Sequence, residues 1–254
     1  MRKILLLGGT SEASALAGCL AERGENAVLS YAGRVSQPKA QPIPVRIGGF
    51  GGVPGLVRYL QEHHVTHLVD ATHPFATQMS RHAVEAAQQT GIALLALTRP
   101  PWRAGPGDRW QAVPDMAAAV AALAGPPKRV LLALGRLHCA EFAAQPQHHY
   151  ILRLVDAPIE PPALPHHTVV VSRGPFGVSG DLALMRRQGV DIVVAKNAGG
   201  VGAEAKLHAA RSLGLPVVMV ERPPIAHRRE ASSVAQVLEW LDHSPGARDA
   251  VRGV

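Results

Sequence analysis

Short apolar runs alternate with helix-patterned segments along almost the whole chain. The apolar runs are continuous, which is typical of strands that are buried on both faces of a parallel sheet. This alternation predicts parallel sheets joined by right-handed helical crossovers. Strands are predicted at residues 3–7, 26–31, 44–47, 67–70, 93–98, 129–134, 149–155, 168–172, 191–195 and 216–220. Helices are predicted near residues 11–23, 53–63, 77–90, 116–124, 136–144, 178–188, 203–212 and 233–241.

Two stretches rich in proline and glycine interrupt this rhythm, at residues 99–107 and 125–127. We place a domain boundary between them, because such residues punctuate regular structure. The predicted fold is α/β, with two Rossmann-like, doubly wound parallel-sheet domains around a cleft. The predicted N-terminal domain spans residues 1–112, the C-terminal domain spans 113–243, and a flexible tail covers 244–254.

The 254 residues carry a net charge of +7 at pH 7, which is the most informative feature of the composition. This excess favours an acidic partner. The basic residues are scattered and are not interleaved with aromatic residues, so we expect no nucleic acid partner. A small ligand with several carboxylates or phosphates fits better. We see no membrane-length apolar run and no secretory signal pattern, so we expect a cytoplasmic protein without a membrane partner.

A glycine turn follows the first predicted strand and precedes a helix. A strand, a glycine turn and a helix in this order offer backbone N–H groups to a phosphate. The spacing departs from the full G-x-G-x-x-G fingerprint, because Thr10 and Ala13 replace its second and third glycines, but the hydroxyls of Thr10 and Ser11 would supply donors. The candidate phosphate-binding residues are Gly8, Gly9, Thr10 and Ser11. The alternative is a tight turn in which Ser11 caps the helix.

The second predicted strand ends without the acidic residue that binds the ribose hydroxyls in NAD-dependent units. It ends instead in Ser30 and Tyr31, followed closely by Gly33 and Arg34. Serine and arginine at this place would bind a 2′-phosphate, so the pattern predicts NADP (NADPH) as the cofactor of the N-terminal domain. The alternative for Arg34 alone is an exposed loop residue.

Polar residues stand together after the strand at residues 67–70, in the run from Asp70 to Ala76. Because ligands bind at the carboxyl ends of parallel strands, we expect this run to line the site. Thr72 is a candidate for cofactor binding. Pro74 restricts His73 to an extended conformation, and His73 is the candidate catalytic proton donor. The alternative is a helix-capping loop.

The C-terminal half repeats the pattern of strand, glycines and helix, with cofactor-binding candidates Lys196, Asn197, Gly199 and Gly200. A plain glycine-rich turn with a surface lysine is the alternative. Arginines follow three other strands of this half, and together they suit an acidic substrate: Arg136, Arg173 and Arg222. The adjacent histidine pairs lack metal-ligand spacing, so no metal site is predicted.

Several blocks together resemble the precorrin-6A reductase family of corrin (vitamin B12) biosynthesis. These blocks run in the family's order up to about residue 224, at 8–13, 70–76, 99–102, 173–176, 196–200 with Lys206, 216–220 and 222–223. We add Lys206 to the predicted substrate-binding residues. One departure is Ala198, where the family commonly has serine.

The resemblance implies an NADPH-dependent reduction of one double bond in an acidic, ring-contracted tetrapyrrole, precorrin-6A or its cobalt form. It also implies two Rossmann-like domains, and other corrin-pathway enzymes as candidate partners. It leaves the oligomeric state open. Two other functions remain alternatives at this point. One is an NADP-binding sensor without chemistry, and the other is a two-domain glycosyltransferase that uses a nucleotide sugar.

Overall fold

The computed structural model describes residues 2–32, 40–172, 174 and 176–244. In this part of the chain the strands are β1 (Ile4–Leu7), β2 (Ala27–Tyr31), β3 (Val45–Ile47), β4 (His67–Asp70), β5 (Ala93–Leu97), β6 (Arg109–Val113), β7 (Arg129–Ala133), β8 (His149–Leu154), β9 (His167–Val171), β10 (Ile192–Lys196), β11 (Pro216–Val220) and β12 (Glu230–Ala231). The α-helices are α1 (Ser11–Glu22), α2 (Gly52–Glu62), α3 (Thr77–Thr90), α4 (Met116–Ala121), α5 (Val178–Gln188), α6 (Ala205–Ser212) and α7 (Val234–His243). Short 3₁₀ segments cover Arg136–Ala144 and Val201–Ala203.

The strands form two sheets in which every recorded pairing is parallel. The described residues place six strands in each sheet, in the orders β12-β5-β4-β1-β2-β3 and β6-β11-β10-β7-β8-β9. Both orders reverse direction once, between β1 and β4 in the first sheet and between β7 and β10 in the second. The predicted α/β fold with two doubly wound parallel sheets is therefore confirmed.

Strand β1 explains why the strand sequences are continuously apolar. Its alternate residues Ile4 and Leu6 belong to the core shared with α1 and α7. The intervening residues Leu5 and Leu7 belong to the core shared with α2 and α3. All four are at most 1% exposed. Burying one such side chain stabilises the fold by about 1.5–3 kcal/mol, so a polar residue at any of these positions would be costly.

The chain divides into two compact units, one of which is discontinuous. The first contains the residues up to Arg99 and those from Pro224 onward, and the second runs from Pro100 to Pro223. This division differs from the predicted boundary at residue 112 because two strands escaped the sequence analysis. Strand β6 pairs with β11 in the second sheet, and β12 pairs with β5 in the first. Of the predicted tail, residues 245–254 lie outside the described residues.

The segment Arg136–Ala144 is a 3₁₀ helix, whereas the pattern predicted an α-helix. It follows Gly135, whose φ is +74°. The Tyr150 hydroxyl lies 2.9 Å from the Phe142 carbonyl oxygen and 2.8 Å from that of Gln145, and it acts as a donor toward them. A donor from strand β8 thus satisfies carbonyl groups at the end of this segment. No helix in the described part of the chain has the length and apolarity to cross a membrane.

Candidate active site

The carboxyl ends of β1 and β4 flank the switch point of the first sheet, where the order in which the chain adds strands reverses. The chain proceeds from β1 through β2 to β3 on one side, and it then returns to β4 and β5 on the other. Open α/β sheets bind ligands in the crevice at such a switch point. The turn after β1 and the loop after β4 contain most of the site residues predicted for the N-terminal half.

The two glycines after β1 serve different purposes. Gly8 donates its backbone N–H to the Ser30 carbonyl oxygen at 2.9 Å, and a Cβ there would lie 2.5 Å from Leu29 Cδ1. A side chain at Gly8 would therefore displace the buried Leu29 side chain, so packing between β1 and β2 favours glycine here. Gly9 has φ +129°, and a Cβ there would meet no described atom within 4 Å. Open space beside a glycine backbone fits the close approach of a phosphate group.

Thr10 joins the turn after β1 to the loop after β4. Its hydroxyl donates to the Ala71 carbonyl oxygen at 2.9 Å and accepts from Ala13 N at 3.1 Å, which makes Thr10 the N-cap of α1. The Ser11 hydroxyl donates to Glu12 Oε2 at 3.0 Å. Both hydroxyls thus donate to protein acceptors here. The Ala13 and Ser14 amides donate to Thr10, so the first-turn amides that remain suited to a phosphate are those of Ser11 and Glu12, which have no acceptor within the helix.

Asp70 organises the loop after β4. The residue is 2% exposed. Its Oδ1 accepts from Thr72 N at 3.1 Å and from the Thr72 hydroxyl at 2.6 Å. Its Oδ2 accepts from the Ser80 hydroxyl at 2.6 Å and from Arg228, whose side chain is 7% exposed. A buried carboxylate with an arginine and several donors is fully compensated. The hydroxyl of Thr72, a predicted cofactor ligand, is used within this network.

His73 lies at the tip of the same loop. Its carbonyl oxygen accepts from Ala76 N at 2.7 Å, and its ring Nδ1 accepts from Phe75 N at 3.2 Å. A ring nitrogen that accepts a hydrogen bond carries no proton, so the neutral ring has its proton on Nε2. Backbone donors following Pro74 therefore hold both the orientation and the tautomer of this imidazole.

Arg99 is a site residue that the sequence analysis did not single out by its chemistry. Its Nη1 lies 3.5 Å from Glu12 Oε1, in the first turn of α1, and its side chain is 14% exposed. Its Nε is buried without a hydrogen-bond partner among the described residues. The arginine follows β5, so it adds a cation at the same edge of the sheet as the glycine turn. The block that begins at Arg99 was the available signal.

A second cation that the sequence analysis missed lies beside the carboxyl end of β2. Ser30 is 5% exposed, and its hydroxyl accepts from Arg46 Nη1 at 3.2 Å. Tyr31 is partly buried against the core beside α1. The predicted 2′-phosphate ligands Gly33 and Arg34 lie outside the described residues. The described cation beside Ser30 is thus Arg46, which belongs to strand β3.

The equivalent switch point of the second sheet is occupied by protein. Asn197, directly after β10, is 3% exposed. Its Oδ1 accepts from Trp102 N at 2.8 Å, and its Nδ2 donates to the Trp102 carbonyl oxygen at 3.1 Å and to Glu221 Oε2 at 3.3 Å. The side-chain amide predicted to bind a cofactor is therefore used to hold the chain at Trp102.

The glycines of this loop let other parts of the protein approach it. Gly199 has φ +70°, and a Cβ there would collide with the Pro100 carbonyl oxygen and would lie 2.6 Å from Arg222 Nη2. Arg222 donates to the carbonyl oxygens of Asn197 at 2.9 Å and Ala198 at 3.0 Å. The Gly200 carbonyl oxygen accepts from the Trp102 indole at 3.0 Å. These contacts give Gly199, Gly200 and Arg222 a structural role.

The remaining basic candidates of the second unit differ in accessibility. Lys206 is 4% exposed, and its Nζ donates to the Ala203 carbonyl oxygen and lies 4.6 Å from the centre of a Trp102 ring. Arg136 is exposed, and Lys196 is partly exposed at the end of β10. Burial raises the pKa of the Cys139 thiol to about 11, which suits a buried apolar side chain rather than a nucleophile. Arg173 lies outside the described residues.

Two doubly wound parallel sheets, one with an open glycine turn at its switch point, define an α/β protein of the Rossmann-like class. The family model described as "Precorrin-6x reductase CbiJ/CobK" matches residues 3–242. The chain belongs to this family, which confirms the resemblance found in the sequence.

Individual relatives agree with the family match. The precorrin-6A reductase of Rhodobacter capsulatus is 57% identical over 98% of this chain and 99% of that protein. The solved structure of "CobK precorrin-6A reductase" is 57% identical, has a TM-score of 0.93 and is matched over 100% of both chains. The cobalt-precorrin-6A reductase of Priestia megaterium is 29% identical over 94% of this chain and 97% of that protein.

Proposed function

We propose that this protein is a precorrin-6A reductase, which reduces one double bond of a ring-contracted tetrapyrrole with NADPH during corrin biosynthesis. The observation that carries the proposal is the 57% identity, over nearly the full length of both chains, with the precorrin-6A reductase of Rhodobacter capsulatus. The family match gives no support to the alternatives of a sensor or a glycosyltransferase. Cytoplasmic localisation remains a prediction.

A nicotinamide cofactor fits the residues at the first switch point. The open space at Gly9 and the first-turn amides of α1 suit a diphosphate, and Arg99 adds positive charge beside them. Strand β2 ends in Ser30 and Tyr31 without the carboxylate that an NAD-dependent unit would use. These features support NADPH, and they favour the first unit over the Lys196–Gly200 loop as the place where it binds.

The reaction adds a hydride and a proton across the double bond, and NADPH supplies the hydride when it is bound. The protein's task is to position the two reactants and to control the proton. His73 is the candidate for the second task, because imidazole exchanges a proton near neutral pH and the ring is held at the tip of the loop after β4 with Nε2 as the nitrogen that carries the proton. Transfer of a proton from Nε2 as a general acid requires the ring to be doubly protonated, which disrupts the bond from Phe75 N to Nδ1.

The substrate is an acidic macrocycle, and the second unit presents Arg136 and Lys196 after its strands as candidate carboxylate ligands. We favour metal-free precorrin-6A over its cobalt form. Relatives named precorrin-6A reductase are 57%, 46% and 44% identical, whereas those named cobalt-precorrin-6A reductase are 29%, 27% and 24% identical.

The test is a reduction assay in which purified protein is given precorrin-6A or its cobalt form, with NADPH or NADH. Loss of nicotinamide absorbance and the change in the visible spectrum of the macrocycle are followed together. We expect reduction of precorrin-6A with NADPH, slower reduction with NADH and slower reduction of the cobalt form. The absence of reduction with either cofactor and either macrocycle would contradict the proposal.

A further inference from the structure

Arg46 lies beside the end of β2, at the side of the first switch point where that strand ends. Strands β2 and β3 are paired so that Arg46 stands opposite Ser30. Its Nη1 donates to the Ser30 hydroxyl at 3.2 Å and to the Gly48 carbonyl oxygen at 2.5 Å, and its Nη2 donates to the Gly49 carbonyl oxygen at 2.7 Å. The guanidinium group is therefore held by the strand end and by the turn that follows β3.

Aromatic packing fixes the plane of the same guanidinium group. Its central carbon lies 3.8 Å from the centre of the Phe50 ring and 5.3 Å from that of Tyr59. The two rings pack edge to face at 5.2 Å. Gly55 allows this arrangement, because a Cβ there would collide with the Phe50 carbonyl group. An arginine held in one orientation loses little side-chain entropy when it binds a ligand.

The charge of Arg46 is not neutralised by its partners described here. The three acceptors are a hydroxyl and two carbonyl oxygens, and the stacking partner is an uncharged ring. The residue is partly exposed and lines a cavity of about 420 Å³ with Phe50 and Tyr59, in which the other charged residues are Arg58 and Glu62. A preoriented, charged fork at the mouth of a cavity is the arrangement that binds a phosphate.

We infer that Arg46 binds the 2′-phosphate of NADPH and sets the preference of this protein for NADPH over NADH. This inference rests on the proposed function, which requires the dinucleotide to bind in the first unit. The adenosine ribose of a dinucleotide lies at the end of the second strand in Rossmann-like domains, which here is the end where Ser30 and Arg46 stand. Buried Ser30 acts through Arg46, which it helps to orient.

Two nucleotides that differ in the 2′-phosphate provide a direct test. Calorimetric titration of the intact protein with adenosine 2′,5′-bisphosphate and with ADP measures the preference for that group without substrate. We expect the Arg46→Met variant to bind the 2′,5′-bisphosphate roughly tenfold to a hundredfold more weakly, with ADP binding nearly unchanged. Arg187→Met is the matched control, because it removes the same charge from an exposed position on α5 in the second unit, and both affinities should stay at the parental level.

Arg46 also holds the turn at Gly48 and Gly49, so two milder variants accompany Arg46→Met. Arg46→Lys keeps the charge without the planar fork, and Phe50→Leu removes the stacking partner. Each should lower the preference for the 2′,5′-bisphosphate severalfold at an unchanged melting temperature. Parental preference in all the folded variants would overturn the inference, as would equal weakening of both nucleotides by Arg46→Met.

The same measurements separate this inference from the proposed function. If Arg46 variants keep the parental preference while the parent reduces precorrin-6A with NADPH, only the role of Arg46 fails, and Arg34 becomes the candidate. If the parent binds both nucleotides equally and uses NADH as well as NADPH, the preference itself fails and the reductase activity stands. If no reduction occurs with either cofactor, the proposed function fails independently of nucleotide binding.

Discussion

The two sheets have the same strand order except at one edge, where the first sheet adds its last strand, β12, and the second adds its first, β6. Their switch points differ in what occupies them. In the first, the turn after β1 leaves open space at Gly9 and leads into a regular α-helix capped by Thr10. In the second, β7 leads into a 3₁₀ segment, and the loop after β10 is filled by Trp102 and Arg222. Both loops contain paired glycines after an apolar strand, so the local sequence pattern is nearly the same.

The difference shows that a glycine can serve two opposite needs. Gly9 has no neighbour within 4 Å of the Cβ position among the described atoms, so its backbone is accessible to a ligand. Gly199 lacks a side chain because the Pro100 carbonyl group and Arg222 occupy that volume. Close approach of a backbone is required in both cases. A glycine loop that is open to a ligand and one that packs against other parts of the protein therefore differ only in which group approaches the backbone.

The largest effect we expect at the first switch point comes from His73→Asn. If His73 handles the proton through Nε2, turnover should fall by about 10²–10⁴-fold while NADPH binds nearly normally. His138→Asn is the matched control at the second switch point, where His138 follows β7 and contacts Glu141 at 2.7 Å. Stopped-flow turnover and nucleotide titration provide the two measurements. A His73→Asn variant that turns over within about threefold of the parent would limit His73 to shaping the pocket.

The next effect concerns the carboxylate that organises the loop of His73. Asp70→Ala removes the buried carboxylate that pairs with Arg228 and leaves the guanidinium with the exposed Glu230 at 3.3 Å, which should cost at most about 3–5 kcal/mol of stability in the first unit. The double variant Asp70→Ala, Arg228→Met should recover part of this loss. Urea unfolding followed by hydrogen exchange, which reports the units separately, is the measurement.

Asp181→Ala is the counterpart of this experiment in the second unit, because Asp181 pairs there with Arg153 and both side chains are at most 8% exposed. It should destabilise the second unit and leave the first unchanged. If either single variant lowered the hydrogen-exchange protection of both units, the two units would not unfold independently.

A smaller effect tests whether the second switch point is structural. Asn197→Ala leaves the buried N–H and carbonyl groups of Trp102 without partners, which should cost about 1–3 kcal/mol. Nucleotide affinity of the folded variant, measured well below its melting temperature, should equal that of the parent. Gly9→Ala should show the reverse, with weaker nucleotide binding because φ +129° strains an alanine and its methyl group enters the open space. Weaker nucleotide binding by Asn197→Ala at unchanged stability would restore a cofactor role for this residue.

The smallest effect is a pH dependence that should differ between the units. Burial lowers the pKa of His67, which is 1% exposed and packs edge-on against Trp240 in the first unit. The unfolded chain therefore takes up a proton first as the pH falls below about 6.5, and stability is lost by at most about 1.4 kcal/mol per pH unit. Above that pH the contribution is fully present.

His149 in the second unit has its pKa lowered in the same direction by burial, but it is partly exposed and contacts the Thr168 hydroxyl at 2.8 Å. The first unit should thus lose more stability between pH 6.5 and 5. His67→Gln should remove that dependence, and His149→Gln should leave it. An acid response of equal size in both units would contradict the expectation.

The strand and helix pattern was readable from sequence because both faces of each sheet are buried, as the cores around Ile4 and Leu5 illustrate. Strand β6 was not predicted because it lies at a sheet edge with most of its residues exposed, and β12 was not predicted because it has only two residues.

The glycine turn and the run after Asp70 were recognisable from the sequence as a candidate site. The structural use of Asn197 and Gly199 was not, because it depends on Trp102 and Pro100, nearly a hundred residues earlier in the chain. Arg46 was missed because its relation to Ser30 depends on strand pairing rather than on sequence distance.

The return of the chain to the first unit has a consequence for how the protein is made. A ribosome releases residues in order, so the segments up to Arg99 emerge before the second unit exists. At that stage the first unit lacks β12, α7 and Arg228. The ion pair between Asp70 and Arg228 therefore forms only after the segment that follows Pro224 has been synthesised. The second unit, which is continuous from Pro100 to Pro223, is under no such constraint. The half whose synthesis begins later is thus the first that can complete its fold, and the loop carrying His73 matures last.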